Sequence, residues 1–196
     1  MYYYIADYLE YLKTMKYYRL ESRLEQIGEI LDTNVRDNMA RCSVLRNNHR
    51  FSILNQIVEH SIANDLPLSK SSAIYCTNNP EIFGYLQCIW EVLYERARPD
   101  TQNIHHYDCA FFFTDIRHAE SYRSYPGMES SRLCEVEIIE QYDSFLADMQ
   151  WLEQIDENQA KAGEIIDTFS RYWKGEFTDN PIPELLFEGK YILKSM

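Results

Sequence analysis

Adjacent histidines, His105-His106, and two closely spaced carboxylates, Glu135 and Glu137, are the first residues whose type and spacing suggest chemistry. Two imidazoles can ligate a metal, but neighbours on a loop rarely face one ion, and no third ligand stands at a suitable spacing. No metal site is therefore expected. Glu135 and Glu137 fall on one face of a strand, a placement that could serve acid/base work but reads first as a solvated strand surface. A third grouping runs from Cys109 to Tyr122. There an aromatic strand, Ala110-Phe111-Phe112-Phe113, leads through Thr114-Asp115 into a short helix, a corner at which sites are often built. Commoner signatures are missing: the chain has no Walker-type glycine loop, GxGxxG, HExxH or GxSxG. With six glycines in the whole chain, a glycine-rich phosphate cradle is not expected.

These groups need elements to hold them. Ile5, Tyr8, Leu9, Leu12, Met15, Leu20, Leu24, Ile27 and Leu31 recur at spacings of three to five, which predicts an amphipathic helix or broken helical hairpin. The many tyrosines of this segment read as packing surface. A second helix is predicted from Phe51 to Ala63, with Leu54, Ile57, Val58 and Ile62 on one face. Residues 73–77 read as a short strand. Asn79-Pro80 then opens a long helix that buries Ile82, Leu86, Ile89, Trp90 and Leu93 and ends near Arg98-Pro99. After the Cys109 to Tyr122 corner, Arg132 to Ile139 alternates as a half-buried strand. Two helices follow, one through Phe145, Met149 and Leu152, the other through Ile165, Phe169, Tyr172 and Trp173. Asn180-Pro181-Ile182-Pro183 launches a last strand, Glu184 to Phe187, with Tyr191 to Leu193 extending or pairing behind Gly189. The expected organisation is a helical N-terminal segment, residues 1–70, followed by an α+β domain, residues 71–196.

Composition narrows the function. Nineteen Lys and Arg against 31 Asp and Glu give a net charge of -12, which repels phosphate backbones and argues against nucleic-acid binding. No run approaches the roughly 20 apolar residues that span a bilayer, and no signal-peptide pattern opens the chain. The five cysteines have no CxxC spacing and read as buried free thiols of a reducing, cytoplasmic compartment. Delivery to another cell by a route that needs no leader is compatible with this.

The segment from Ala110 to Asp115, followed by Ala119 and Tyr122, resembles the central motif of the ADP-ribosyltransferases of the diphtheria-toxin and poly(ADP-ribose) polymerase type. In that family a strand of the form Gly-Ile-Tyr-Phe-Ala-Asp leads into a helix carrying Ala and a second Tyr, and the aromatic pair sandwiches a nicotinamide ring. By this resemblance Phe112 is the first aromatic and Tyr122 the second, one residue closer than in the family. Leu133-Cys134-Glu135-Val136 is similar to the family strand whose carboxylate is structural. Pro183-Glu184-Leu185-Leu186-Phe187 is similar to the strand whose leading Glu is catalytic, which points to Glu184. For the family's opening Leu-Trp/Tyr-His-Gly-Ser/Thr, the chain offers Ile74-Tyr75-Cys76-Thr77, so that Tyr75 stands for the His and Thr77 for the Ser/Thr. An alternative opening is Cys42 to Arg46, with Arg46 as the anion-binding residue of the arginine-dependent branch. A similar Arg…Phe-Phe-Thr-Asp…Ala…Tyr pattern, with Glu-Val-Glu and Tyr-Trp-x-Gly, is shared with small bacterial domains of unknown function.

The resemblance implies a small split antiparallel-type sheet with several amphipathic helices, cofactor contacts from Tyr75, Thr77, Phe112 and Tyr122, and catalysis by Glu184. The substrate it implies is NAD, with a protein as acceptor and a nucleic-acid base, a small molecule or water as the alternatives. The other reading is a non-catalytic protein-interaction module that keeps this fold.

Overall fold

The computed structural model of the chain describes residues 15–35, 47–125 and 127–196. Five strands make one antiparallel sheet: β1 (Tyr17–Glu21), β2 (Ile30–Asp32), β3 (Ala110–Phe113), β4 (Arg132–Asp148) and β5 (Pro183–Ser195). Among the described residues there are six α-helices: α1 (Asn48–Asn64), α2 (Leu68–Asn78), α3 (Ile89–Ala97), α4 (Ile116–Tyr122), α5 (Gln150–Glu153) and α6 (Ala162–Trp173). The class is therefore α+β with an antiparallel sheet and several amphipathic helices.

The two long strands close the sheet on itself. β4 and β5 pair along their length, from Cys134↔Ser195 to Asp148↔Pro183. On its other edge β5 takes β3 at residues 184–187 and β2 at residues 190–192, while β1 joins β3 to the first part of β4. The result is a small barrel. Register shifts near Ile138 and Gln141 bend β4, and Gly189 of β5 faces that bend with φ 151°. A Cβ at Gly189 would lie 2.0 Å from the Glu140 carbonyl oxygen, so the two backbones approach too closely for any side chain there.

Strand alternation sorts the side chains into two cores. Ala110, Phe112, Leu185, Phe187, Tyr191 and Leu193 point inward with Tyr17 and Val136 and fill the barrel. Leu186 and Phe111 point outward, where α1, α3 and α6 cover them with Leu54, Ile57, Val92, Leu93, Ile165 and Phe169. On a neighbouring part of the outer face, α4 lays Ala119 over Leu20 and Leu133. Between the two helical coverings lie the head of β5 and the end of β3, which border a cleft.

Several sequence expectations are corrected. Residues 73–77 are not a strand but the last turns of α2, whose inward positions are Leu68, Ser71 and Ser72, with Tyr75 and Cys76 half-buried and Ile74 exposed. Because serines occupy the buried positions, the helical period is invisible in an apolar count. The stripe predicted to be helical up to Leu31 instead supplies β1 and β2. Its residues 1–14 lie outside the described part, as does the alternative opening strand from Cys42 to Arg46. β4 continues to Asp148, replacing the helix expected through Phe145, and only α5 remains of that helix. Between α2 and α3, residues 80–88 form 3-10 turns that bury Ile82, Tyr85 and Cys88 at intervals of three. Strands from both sides of residue 70 share the one sheet, and α1 packs on α3 and α6, so the expected helical segment, 1–70, is not separate from the α+β part.

Candidate active site

Glu184 sits between the two helical coverings, at the floor of a cleft. It pairs in register with Phe113 of β3 on one side and Ala147 of β4 on the other, and outward alternation turns its side chain toward the helices. Its position is fixed by fastenings on both flanks. Asp148, fully buried, accepts hydrogen bonds from the backbone N–H groups of Gln150 (2.9 Å), Thr178 (2.8 Å) and Ile182 (2.7 Å) and from the Thr178 hydroxyl (2.8 Å). These tie the loop before β5 to the end of β4. On the β3 side, the Thr114 hydroxyl donates to the Pro183 carbonyl at 3.2 Å.

The carboxyl of Glu184 is 5% exposed, and the Tyr172 hydroxyl of α6 donates to its Oε1 at 2.7 Å. Burial raises its pKa to about 7, while nearby His106 and the Tyr172 hydrogen bond pull in the opposite direction and Asp148 adds to the rise. The group thus titrates near neutrality. Burial together with Glu184 also pushes up the Tyr172 phenol and the Cys109 thiol. Among the described residues no Lys or Arg forms an ion pair with Glu184.

Above Glu184 opens a cleft of about 230 Å³ whose lining side chains include Tyr94, His106, Phe111, Phe113, Met149 and Leu152. A second lobe of about 290 Å³ shares Tyr94, His106 and Leu152 and continues to Gln87, Trp90, Glu91, Ile155, Glu157 and Phe169. Rings form most of the shared wall. His106 stacks on Tyr94 with centroids 3.6 Å apart, Tyr94 stacks on Phe169 at 4.0 Å, and the Trp173 indole N–H donates to the Tyr94 carbonyl. At the outer side, the hydroxyls of Tyr122 and Tyr125 both donate to the carboxylate of Glu153, linking α4 to α5. Burial and that carboxylate raise the Tyr122 phenol.

The residues singled out in the sequence divide. Glu184 lines the cleft, while the Tyr122 hydroxyl is held by Glu153, and burial and Glu153 outweigh Glu184 in raising that phenol. Phe112 borders the cleft, but its ring is fully buried inside the barrel against Tyr17, Phe187 and Tyr191. The strand turns Phe113 toward Tyr122 instead, with ring centroids 5.2 Å apart. Tyr75 packs edge-on against His60, and Thr77 donates to the Ala73 carbonyl on an exposed turn of α2, so neither lines the cleft. Glu135 and Glu137 form surface ion pairs with Lys16 and Lys194. His105 and His106 each meet a separate glutamate of α3, Glu95 and Glu91. Among the described residues no group of three or more His, Cys, Asp or Glu could hold a metal, and no helix is long and apolar enough to cross a membrane.

Sequence reasoning missed Tyr94, Tyr172 and the His106–Glu91 pair. One signal was available, because Glu91 lies between Trp90 and Val92 in a helix otherwise expected to bury its apolar side. No family model and no curated protein matches the chain.

Proposed function

We propose that the chain is an NAD-consuming enzyme of the ADP-ribosyltransferase type, which cleaves the bond between nicotinamide and ribose and passes the ribosyl group to an acceptor. The observation that carries this reading is Glu184, a buried carboxylate at the head of a strand, opening into an aromatic cleft. Positive charge develops on the ribose in an oxocarbenium-like transition state, and an ionised carboxylate beneath it lowers that barrier more than it stabilises the ground state. Glu184 supplies this charge, and the Tyr172 hydroxyl holds one of its oxygens in place.

A cleft of about 230 Å³ suits a nicotinamide ring and part of its ribose rather than a whole dinucleotide. The ring of NAD is cationic, and aromatic faces together with a carboxylate favour such a group. Phe113 and Tyr122 already touch, so the ring stacks on the side of Phe111 and Tyr94 rather than between that pair. The acceptor is a protein in this reading.

A second reading has its own support. No Lys or Arg lines either lobe, and a dinucleotide brings two phosphates that ordinarily meet a cation or a helix end. That favours a non-catalytic module on the same scaffold, recognising a protein partner. Nicotinamide release by the purified protein and by Glu184→Gln decides between them. Release by the parent, reduced at least about 100-fold in the variant, supports the enzyme. No release, together with unchanged tryptophan emission at millimolar NAD, supports the module.

A further inference from the structure

The two lobes meet at one imidazole. His106 lines both, and its Nδ1 lies 2.7 Å from Oε2 of Glu91, with both side chains buried. A carboxylate partner makes Nδ1 the protonated nitrogen and leaves Nε2 as the acceptor. Among the described residues the ring's hydrogen bond is made through Nδ1, to Glu91. The ring cannot turn freely, because Tyr94 stacks on its face at 3.6 Å and Phe111 packs against it at 4.7 Å. The next residue back strengthens the placement. His105 meets Glu95 at 2.8 Å, one turn along α3 from Glu91, and Arg98 holds Glu95, so the loop before β3 is docked on α3 at two points. A histidine held through one nitrogen by a buried carboxylate and offering the other to a cavity is the arrangement of a general base.

We propose that His106, oriented by Glu91, is a catalytic base that removes the proton from the acceptor as it attacks the ribose, a role that rests on the reading of Glu184 given above. The C1′–N bond to nicotinamide breaks and its electron pair leaves with the nicotinamide nitrogen. The acceptor's oxygen or nitrogen forms the new bond to C1′, and its proton passes to His106 Nε2, to be released to solvent. Nothing is oxidised or reduced. The second lobe fixes the acceptor class. Trp90, Phe169 and Ile155 give apolar walls, Glu91 and Glu157 give negative charge, and no cation is present among its lining residues, so it takes a neutral or cationic O–H or N–H nucleophile and disfavours a phosphorylated one.

The test compares nicotinamide release, with water as acceptor, by the full chain and by His106→Asn, Glu91→Gln, His106→Ala and Glu184→Gln, with NAD affinity read from tryptophan emission. Asn retains an N–H for Glu91 but has no base at the Nε2 position. His106→Asn is expected to bind NAD as the parent does and to release nicotinamide about 100-fold more slowly or worse. Glu91→Gln, which keeps the shape of the side chain that orients His106 but not its charge, is expected to fall in between, and added imidazole is expected to restore turnover to His106→Ala. Parental rates in His106→Asn with Glu184→Gln inactive would overturn the base and leave the Glu184 reading standing. Slow turnover in both His106 variants without imidazole rescue would make the residue structural and also overturn it. No turnover by the parent would overturn both.

Discussion

A carboxylate buried without a cation is costly, and at Glu184 the cost depends on pH in a definite direction. Its folded pKa is about 7, against an ordinary value of 4.5, so between these two the folded chain binds more protons than the unfolded one. Stability therefore falls as pH rises through that window. The neutral acid is fully tolerated below about 4.5, and the loss is complete somewhat above 7. Glu184→Gln, which stays neutral and can still accept the Tyr172 hydrogen bond, should match the parent near pH 4.5 and exceed it at pH 8 by as much as about 3 kcal/mol. Urea midpoints at the two pH values check this, and an equal difference at both would show that Glu184 is not held protonated. The same titration governs chemistry with the opposite sense, because the ionised form is the one that stabilises an oxocarbenium ion. Nicotinamide release should accordingly climb with pH through about 7. Of the residues the family pattern singled out, Glu184 opens into the cleft, whereas the Phe112 ring turns into the barrel and Phe113 faces Tyr122. The pattern gave the strand without its phase, and a shift of one residue moves every ring to the opposite face. The His106–Glu91 pair was hidden for a different reason: its members lie fifteen residues apart, and only the docking of a loop on α3 joins them.

At the level of elements, the site depends on two devices in the β4–β5 ribbon. Asp148 accepts four hydrogen bonds from the segments that follow β4 and lead into β5, and Asp148→Ala would leave three part-buried backbone N–H groups without their partner. The expected loss is about 3 kcal/mol or more, read as a lower urea midpoint with an unchanged slope. Gly189→Ala should destabilise by about 2 kcal/mol or more, since the new methyl meets backbone at the β4 bend and the Phe187 ring inside the barrel. A substitution at Gly163, where a Cβ meets nothing within 4 Å, provides the control. Elements with a clear apolar period were legible: α1, α6, β3 with α4, and β5 all fall close to their expected spans. Those that failed carry polar side chains at buried positions. Ser71 and Ser72 are buried in α2, and Glu21 is buried in β1 between Arg19 and Arg23. Hydrophobic periodicity cannot register such positions, because their burial is stabilised by hydrogen bonds and ion pairs rather than by apolar area.

For the molecule as a whole, the two segments expected share one sheet and one core. β1 is the strand that links β3 to β4, and α1 supplies Ile53, Leu54, Ile57 and Val58 to the core that backs the cleft. A fragment comprising residues 71–196 should therefore lack dispersed amide NMR signals and a cooperative thermal transition. A folded fragment would show that the barrel closes without β1. The connectivity also has a consequence in time. β5 supplies the pairing partner of β2, of β3 and of most of β4, so the barrel cannot close until residues 183–195 have emerged from the ribosome. Up to that moment Phe111, Phe112 and Phe113 lie in a short, strongly β-forming strand with one edge unpaired, joined on the other side to β1 by the Tyr18 and Phe113 pairing alone. In a growing or prematurely ended chain, this aromatic run is the segment most open to pairing with a second copy of itself, and its protection falls to whatever attends the nascent polypeptide.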